Sequence, residues 1–188
     1  AGLARALVRA ARSRERRNGP LADRLLRWAL RLEPQLGDAA PTLVALRRIG
    51  GDRLGAVEAA RAATVRFPQA ADAWFLLGEA CQGAFKVKEA MDAFARALGL
   101  AERADAALRI GLLLRREFRY AEAAAMFARA FAAGAGPEAL HENAAALWYA
   151  GDTEQALRAL ELWGTHFVDG PARVADACRD LERGAKPA

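Results

Sequence analysis

A small residue recurs along this chain at an almost fixed interval: Ala22, Ala56, Ala90, Ala123 and Ala156, at steps of 34, 34, 33 and 33 residues. Wide apolar residues follow four positions later, as at Phe94, Phe127 and Leu160. Small residues at Gly78 and Gly111 precede the anchors and would let two helices approach closely. Each segment shows apolar residues at helical spacing, for example Phe94, Ala97 and Leu98, and none alternates in the way of a strand. Self-similarity at this period marks a stack of helical hairpins, since one unit cannot bury its apolar face alone. The expected fold is all-α.

Punctuation places the boundaries. Pro34 and Pro68 stop helices, and Gly51-Asp52 and Gly151-Asp152 mark turns inside hairpins. The hairpins are expected over 3–36, 37–70, 71–103, 104–136 and 137–169, as one domain over residues 1–188. Asp169-Gly170-Pro171 then opens a capping helix over 171–184, with Val174, Cys178 and Leu181 on one stripe and Gly184 as its stop.

Trp74-x-x-Leu77-Gly78, then Ala90-x-x-x-Phe94, then Ala97, resembles the tetratricopeptide repeat, with Cys81 where that family prefers Tyr. The fourth segment keeps Ile110, Gly111, Leu114, Ala123, Phe127 and Ala130. The fifth keeps Leu140, Ala144, Leu147, Ala156 and Leu160. The second keeps Leu43, Ala56 and Ala63, and the first Ala6, Ala10, Ala22 and Ala29. Arg9 falls where an apolar residue is expected. Trp163 stands where the family has Ala and is expected to push the last hairpin and the cap apart. The resemblance implies a right-handed superhelical solenoid of five hairpins plus the cap.

The chain has 188 residues and a net charge of +5, unevenly placed. Residues 1–36 hold nine arginines against Glu15, Asp23 and Glu33, a net +6, so the remainder is about −1. Arg12, Arg14, Arg16 and Arg17 are densest. A solvated helix end in an arginine-rich composition, with 25 Arg against 3 Lys as in a GC-rich bacterial genome, is one account of this. A contact with an acidic partner or an anionic membrane surface is another. Nucleic acid is disfavoured, because no aromatic residue interleaves that cluster. No apolar run is long enough to span a bilayer. The compartment stays open, with the cytoplasm favoured over the periplasm.

Little speaks for an enzyme. His141 and His166 are 25 residues apart without ligand spacing, Ser13 is the only serine, and no phosphate-cradling glycine loop occurs. Cys81 and Cys178 read as small apolar residues rather than a bridge. No catalytic residue, metal or cofactor is expected.

In the resembled family, the first helices line a concave face, and positions 2, 5, 9, 12 and 13 of each repeat contact a partner. Position 5 holds Leu7, Pro41, Phe75, Leu108 and His141. Position 9 holds Ala11, Ala45, Glu79, Leu112 and Ala145. Position 12 holds Arg14, Arg48, Gln82, Arg115 and Trp148, and position 13 holds Glu15, Ile49, Gly83, Arg116 and Tyr149. The implied partner-binding set is Arg48, Phe75, Glu79, Gln82, Leu108, Leu112, Arg115, Arg116, His141, Trp148 and Tyr149. Guanidinium groups beside apolar anchors suit an acidic or amphipathic segment. Alternatives stand beside this. Phe75 and Leu108 can pack between first helices, Trp148 and Tyr149 can pack beneath the last helix, and Arg48 and Arg115 can pair with Asp38, Asp72 or Asp105. Asn143 is expected to satisfy a local backbone group. The set lacks the Lys and Asn that grip chaperone C-termini. The expected function is a non-catalytic protein–protein scaffold. The alternatives are an accessory domain of a larger glycosyl- or sulfotransferase, or a building block that associates with itself.

Overall fold

The computed structural model describes residues 2–14, 19–33 and 39–184. Pro34, with the stop expected there, lies outside the described residues, as do Glu15, Arg16, Arg17 and Asp38. Eleven helices are described: α1 (Gly2–Arg14), α2 (Gly19–Leu32), α3 (Ala39–Ile49), α4 (Arg53–Arg66), α5 (Ala71–Gly83), α6 (Val87–Leu100), α7 (Ala104–Arg116), α8 (Tyr120–Ala132), α9 (Glu138–Tyr149), α10 (Thr153–Gly164) and α11 (Gly170–Gly184). No strand occurs among the described residues. The fold is an all-α array of hairpins followed by a single helix.

The helices gather into two compact units, residues 1–100 and 101–188. In the first, each of α1 to α5 packs on its successor in the chain, and α3 also touches α1 and α5. In the second, α7 to α11 pack in the same successive way.

The periodic anchors are the core. Ala22, Ala56, Ala90, Ala123 and Ala156 are buried, and so are Leu26, Ala60, Phe94, Phe127 and Leu160 four positions on. The small partners before them are required by contact. A Cβ on Gly78 would lie 2.5 Å from the Phe94 ring, and one on Gly111 would lie 2.7 Å from the Phe127 ring. Each phenylalanine therefore rests on bare backbone, which brings α5 against α6 and α7 against α8.

Four of the hairpin turns close in one way. The amide that follows the turn bonds back five residues, from Asp52 to Arg47, Lys86 to Cys81, Arg119 to Leu114 and Asp152 to Leu147, at 2.8–3.0 Å. This closure puts the preceding residue in the left-handed region. Gly51 and Gly151 adopt it with φ of 80° and 89°. Asp52 and Asp152 then cap the next helix, accepting from the Gly55 and Gln155 amides. In the two central hairpins the left-handed residue is Phe85 or Phe118, with φ of 61° and 60°.

Two expectations need correction. In α1 the buried stripe is Ala4, Val8 and Ala11, whereas Ala6 is exposed and Ala10 only half-buried. The buried residues recur at i, i+4 and i+7, so α1 turns a different face inward from the one expected. Arg9 consequently points to solvent, and its conflict with an apolar position disappears. Trp163, in turn, does not hold the cap away. Its ring lies 5.1 Å from both His141 and Phe167. It joins the cluster of Leu160, Ala177 and Leu181, with Val174 and Cys178 at the margin. The backbones of Gly164 and Gly170 touch beside it, and a Cβ on Gly170 would sit 2.2 Å from the Gly164 carbonyl.

Candidate functional site

In unit 1 the candidate residues lie on α3 and α5. Burial of Leu43, Val44 and Leu46 turns the opposite side of α3 outward, where Arg48 and Ile49 are exposed. The Arg48 side chain runs over Gly83 at the end of α5, about where a Cβ would meet Nε at 3.7 Å. No carboxylate among the described residues pairs with Arg48. Glu79 and Gln82 are half-buried on α5. Phe75 is less available than a surface anchor, because its ring lies 5.3 Å from Phe94 and tilted by 54°. It thus covers the edge of the α5–α6 seam. Leu7 and Ala11, at the equivalent positions of α1, belong to the first core cluster.

In unit 2 the candidates lie on α7 and α9. Leu108 and Leu112 are half-buried, and Arg116 is exposed. Arg115 pairs with Glu142 of the next hairpin rather than with Asp105. Asp105 is held by Arg103 through two contacts of 2.7 and 2.9 Å. That hydrogen-bonded guanidinium keeps the Asp105 carboxyl below the usual carboxylate range. His141 packs on Trp163, and Trp148 joins the cluster beneath α11. Tyr149 is 40% exposed, with its ring 5.3 Å from Tyr120. The face of this unit therefore offers Arg116, the open side of Arg115, Leu108, Leu112 and Tyr149. Asn143 is buried and donates to the Ala124 carbonyl of α8 at 2.7 Å, so its backbone partner belongs to the neighbouring hairpin rather than its own.

Ion pairs also engage arginines of the second helices. Arg61 holds Glu89, and Arg129 holds Glu102 through both oxygens at 2.8 Å. The more covered pair is Arg47 with Asp23 at 2.8 Å, where Arg47 also donates to the Gly55 carbonyl at 2.7 Å. One side chain thereby ties α2, α3 and α4 together. Among the described residues, no group of three His, Cys, Asp or Glu is placed to hold a metal ion. No helix among them is long and apolar enough to cross a membrane.

Some exposed residues escaped the sequence reading. Phe85 and Phe118 are 69% and 77% exposed at their turns, and Trp28 is 57% exposed on α2. The repeat register does carry a signal for Trp28. Its equivalents six residues after each anchor are Ala62, Arg96, Arg129 and Leu162, all outward-facing.

No family model matches the sequence, and no curated protein matches it. Similar solved structures do. The chain superposes on MamA with a TM-score of 0.70 at 16% identity, covering 99% of this chain and 97% of that one. It superposes on a thermophilic tetratricopeptide-repeat protein of Thermus thermophilus with a TM-score of 0.59 at 20% identity, covering 93% and 98%. Pseudomonas aeruginosa PilF gives 0.65 at 20% identity, covering 100% and 94%. The chain has the tetratricopeptide-repeat fold. Identities this low pass the backbone of that fold on, and the side chains on each face remain particular to this chain.

Proposed function

We propose that this tetratricopeptide-repeat chain is a non-catalytic scaffold that holds acidic, apolar-anchored segments of protein partners on its first helices. The observation that supports this is the state of its guanidinium groups. Arg48 on α3 and Arg116 on α7 are exposed and unpaired among the described carboxylates, whereas Arg61 on α4 and Arg129 on α8 are each engaged by an acid. Unpaired arginine beside half-buried leucine favours a carboxylate next to an apolar side chain. In unit 2 the anchors are Leu108, Leu112 and Tyr149. In unit 1 Arg48 acts with Glu79 and Gln82, which add polar selectivity. Trp148 and His141 serve by supporting α9 rather than by contact.

The test compares capture from native lysate by the wild type with capture by Arg48→Glu and Arg116→Glu together. Trp148 is left intact because it is part of the packed cluster. A partner that the wild type holds, that the variant releases, and that salt weakens supports the reading. Equal capture by both proteins removes the site from the first helices.

A second reading, as an accessory domain of a larger assembly, rests on one comparison. The chain matches a quarter of a longer chain in the structure of Naa15/Naa10 bound to HypK-THB, with a TM-score of 0.63. Activity of a co-purified enzyme that depends on this chain would favour that reading.

A further inference from the structure

The first hairpin carries a surface that the proposed segment-binding faces do not use. Burial of Ala22, Leu26 and Ala29, with Leu25 and Leu30 against the same core, fixes which side of α2 looks outward. Arg24, Trp28 and Arg31 stand there at i, i+4 and i+7, flanked by Arg27 and Leu32. Leu32 is 58% exposed beside Trp28. On α1, Arg5, Arg9 and Arg12 form a second stripe of the same spacing, with Leu3 exposed at its start. Helix α1 contains no acidic residue, and the single carboxylate on α2, Asp23, is taken by Arg27 and Arg47. No carboxylate among the described residues pairs with Arg5, Arg9, Arg24 or Arg31. Both stripes belong to one hairpin, whose two helices pack directly on each other.

We propose that this hairpin docks the protein on an anionic lipid surface. A layer of phosphate headgroups meets charge spread over two helices without requiring any one bidentate geometry. The apolar side chains that project among the arginines fit the same partner. An indole with one apolar edge and one N–H settles at headgroup depth, and Leu3 and Leu32 beside the arginines reach the same layer. A nucleic-acid strand would gain a single stacking platform in Trp28, which is not a succession for several bases.

The experiment is co-sedimentation of the full chain with vesicles of phosphatidylcholine alone and of phosphatidylcholine with phosphatidylglycerol, across a salt series. Partition onto the anionic vesicles alone, weakening as salt rises, is expected. Arg5→Glu, Arg9→Glu, Arg24→Glu and Arg31→Glu together should lower partition by on the order of a hundredfold or more. The corresponding four Lys replacements should retain it. Tryptophan emission should shift to the blue on anionic vesicles, and Trp28→Ser should remove most of that shift. Arg48→Glu with Arg116→Glu should leave partition unchanged, which separates this surface from the segment-binding faces. Circular dichroism checks each variant. If the Glu variant does not fold, the salt series, the Lys variant and Trp28→Ser carry the test. Equal partition onto both vesicles, or unchanged partition after charge reversal, overturns the proposal. So does tighter binding to an oligonucleotide or to polyglutamate than to the vesicles at equal ionic strength.

Discussion

Two phenylalanines occupy a backbone conformation that glycine fills in the neighbouring hairpins. A left-handed residue with a side chain brings Cβ against the following carbonyl, at a cost of about 1–2 kcal/mol. Phe118→Gly removes that strain and loosens the unfolded chain, so a net gain of about 0.5–1 kcal/mol is expected. Phe85→Gly should gain less, because Arg53 lies over the Phe85 ring at 4.8 Å. Urea unfolding midpoints measure both, and a loss on either substitution would show that the aromatic contacts outweigh the strain. Gly78→Ala works in the opposite sense. Its methyl would meet the Phe94 ring at 2.5 Å, inside a contact that cannot yield without moving α6. Such overpacking is expected to cost about 1–3 kcal/mol. Gly78 and Phe94 were legible in the sequence because a small residue and a wide one recur at fixed spacing. The strained turns were not, since Phe85 and Phe118 carry no local turn signal. Only the closure shared with Gly51 and Gly151 forces their conformation.

Each helix is placed by contacts that the repeat fixes and by a few that it does not. The succession of helical hairpins and the turns at Gly51-Asp52 and Gly151-Asp152 follow from spacing and turn chemistry alone. The face of α1 does not, because alanines stand on several sides of it and the stripe of Ala4, Val8 and Ala11 competes with one through Ala6 and Ala10. Arg47 is another case. Its pairing with Asp23, 24 residues earlier, depends on how α2 and α3 meet. Arg47→Ala should strand the Asp23 carboxylate at a mostly covered position and release the Gly55 carbonyl. A loss of about 2–4 kcal/mol is expected. Arg47→Lys should recover only part of it, since an ammonium cannot reach both acceptors in the same fork. Thermal unfolding of the two variants decides this. A cost below about 1 kcal/mol would show that Arg27 alone satisfies Asp23.

At the scale of the whole molecule, the sequence specifies the repeat fold more readily than it distinguishes one face residue from another. Phe75 and Trp148 looked like anchors by position and are half-buried by contact, Phe75 against Phe94 of its own hairpin and Trp148 in the cluster that α10 and α11 complete. The Arg115–Glu142 pair joins residues 27 apart and becomes visible only when adjacent hairpins are aligned. Ion pairs of this kind shape the response to acid. Hydrogen bonds hold Glu89 below its ordinary value of 4.5 through Lys86, Glu102 through Arg129, and Glu122 through Arg119. Asp169 is held below 3.8 by Arg173. A carboxylate lowered on folding stabilises the native state above its unfolded value and loses that contribution as pH falls through the folded one. These groups are exposed, so each contributes little and salt weakens it further. Cys81 has the opposite sign. Burial raises its thiol above 9.0, so the folded state is favoured below that value and loses ground as the unfolded chain ionises. Urea midpoints should therefore stay level from neutral pH down to about 4.5 and then fall by degrees, more shallowly in high salt. They should fall again above about pH 9, and Cys81→Ala should flatten that alkaline limb at a small uniform cost for the lost sulfur. A steep collapse already near pH 6 would show that the acid response does not rest on these carboxylate pairs.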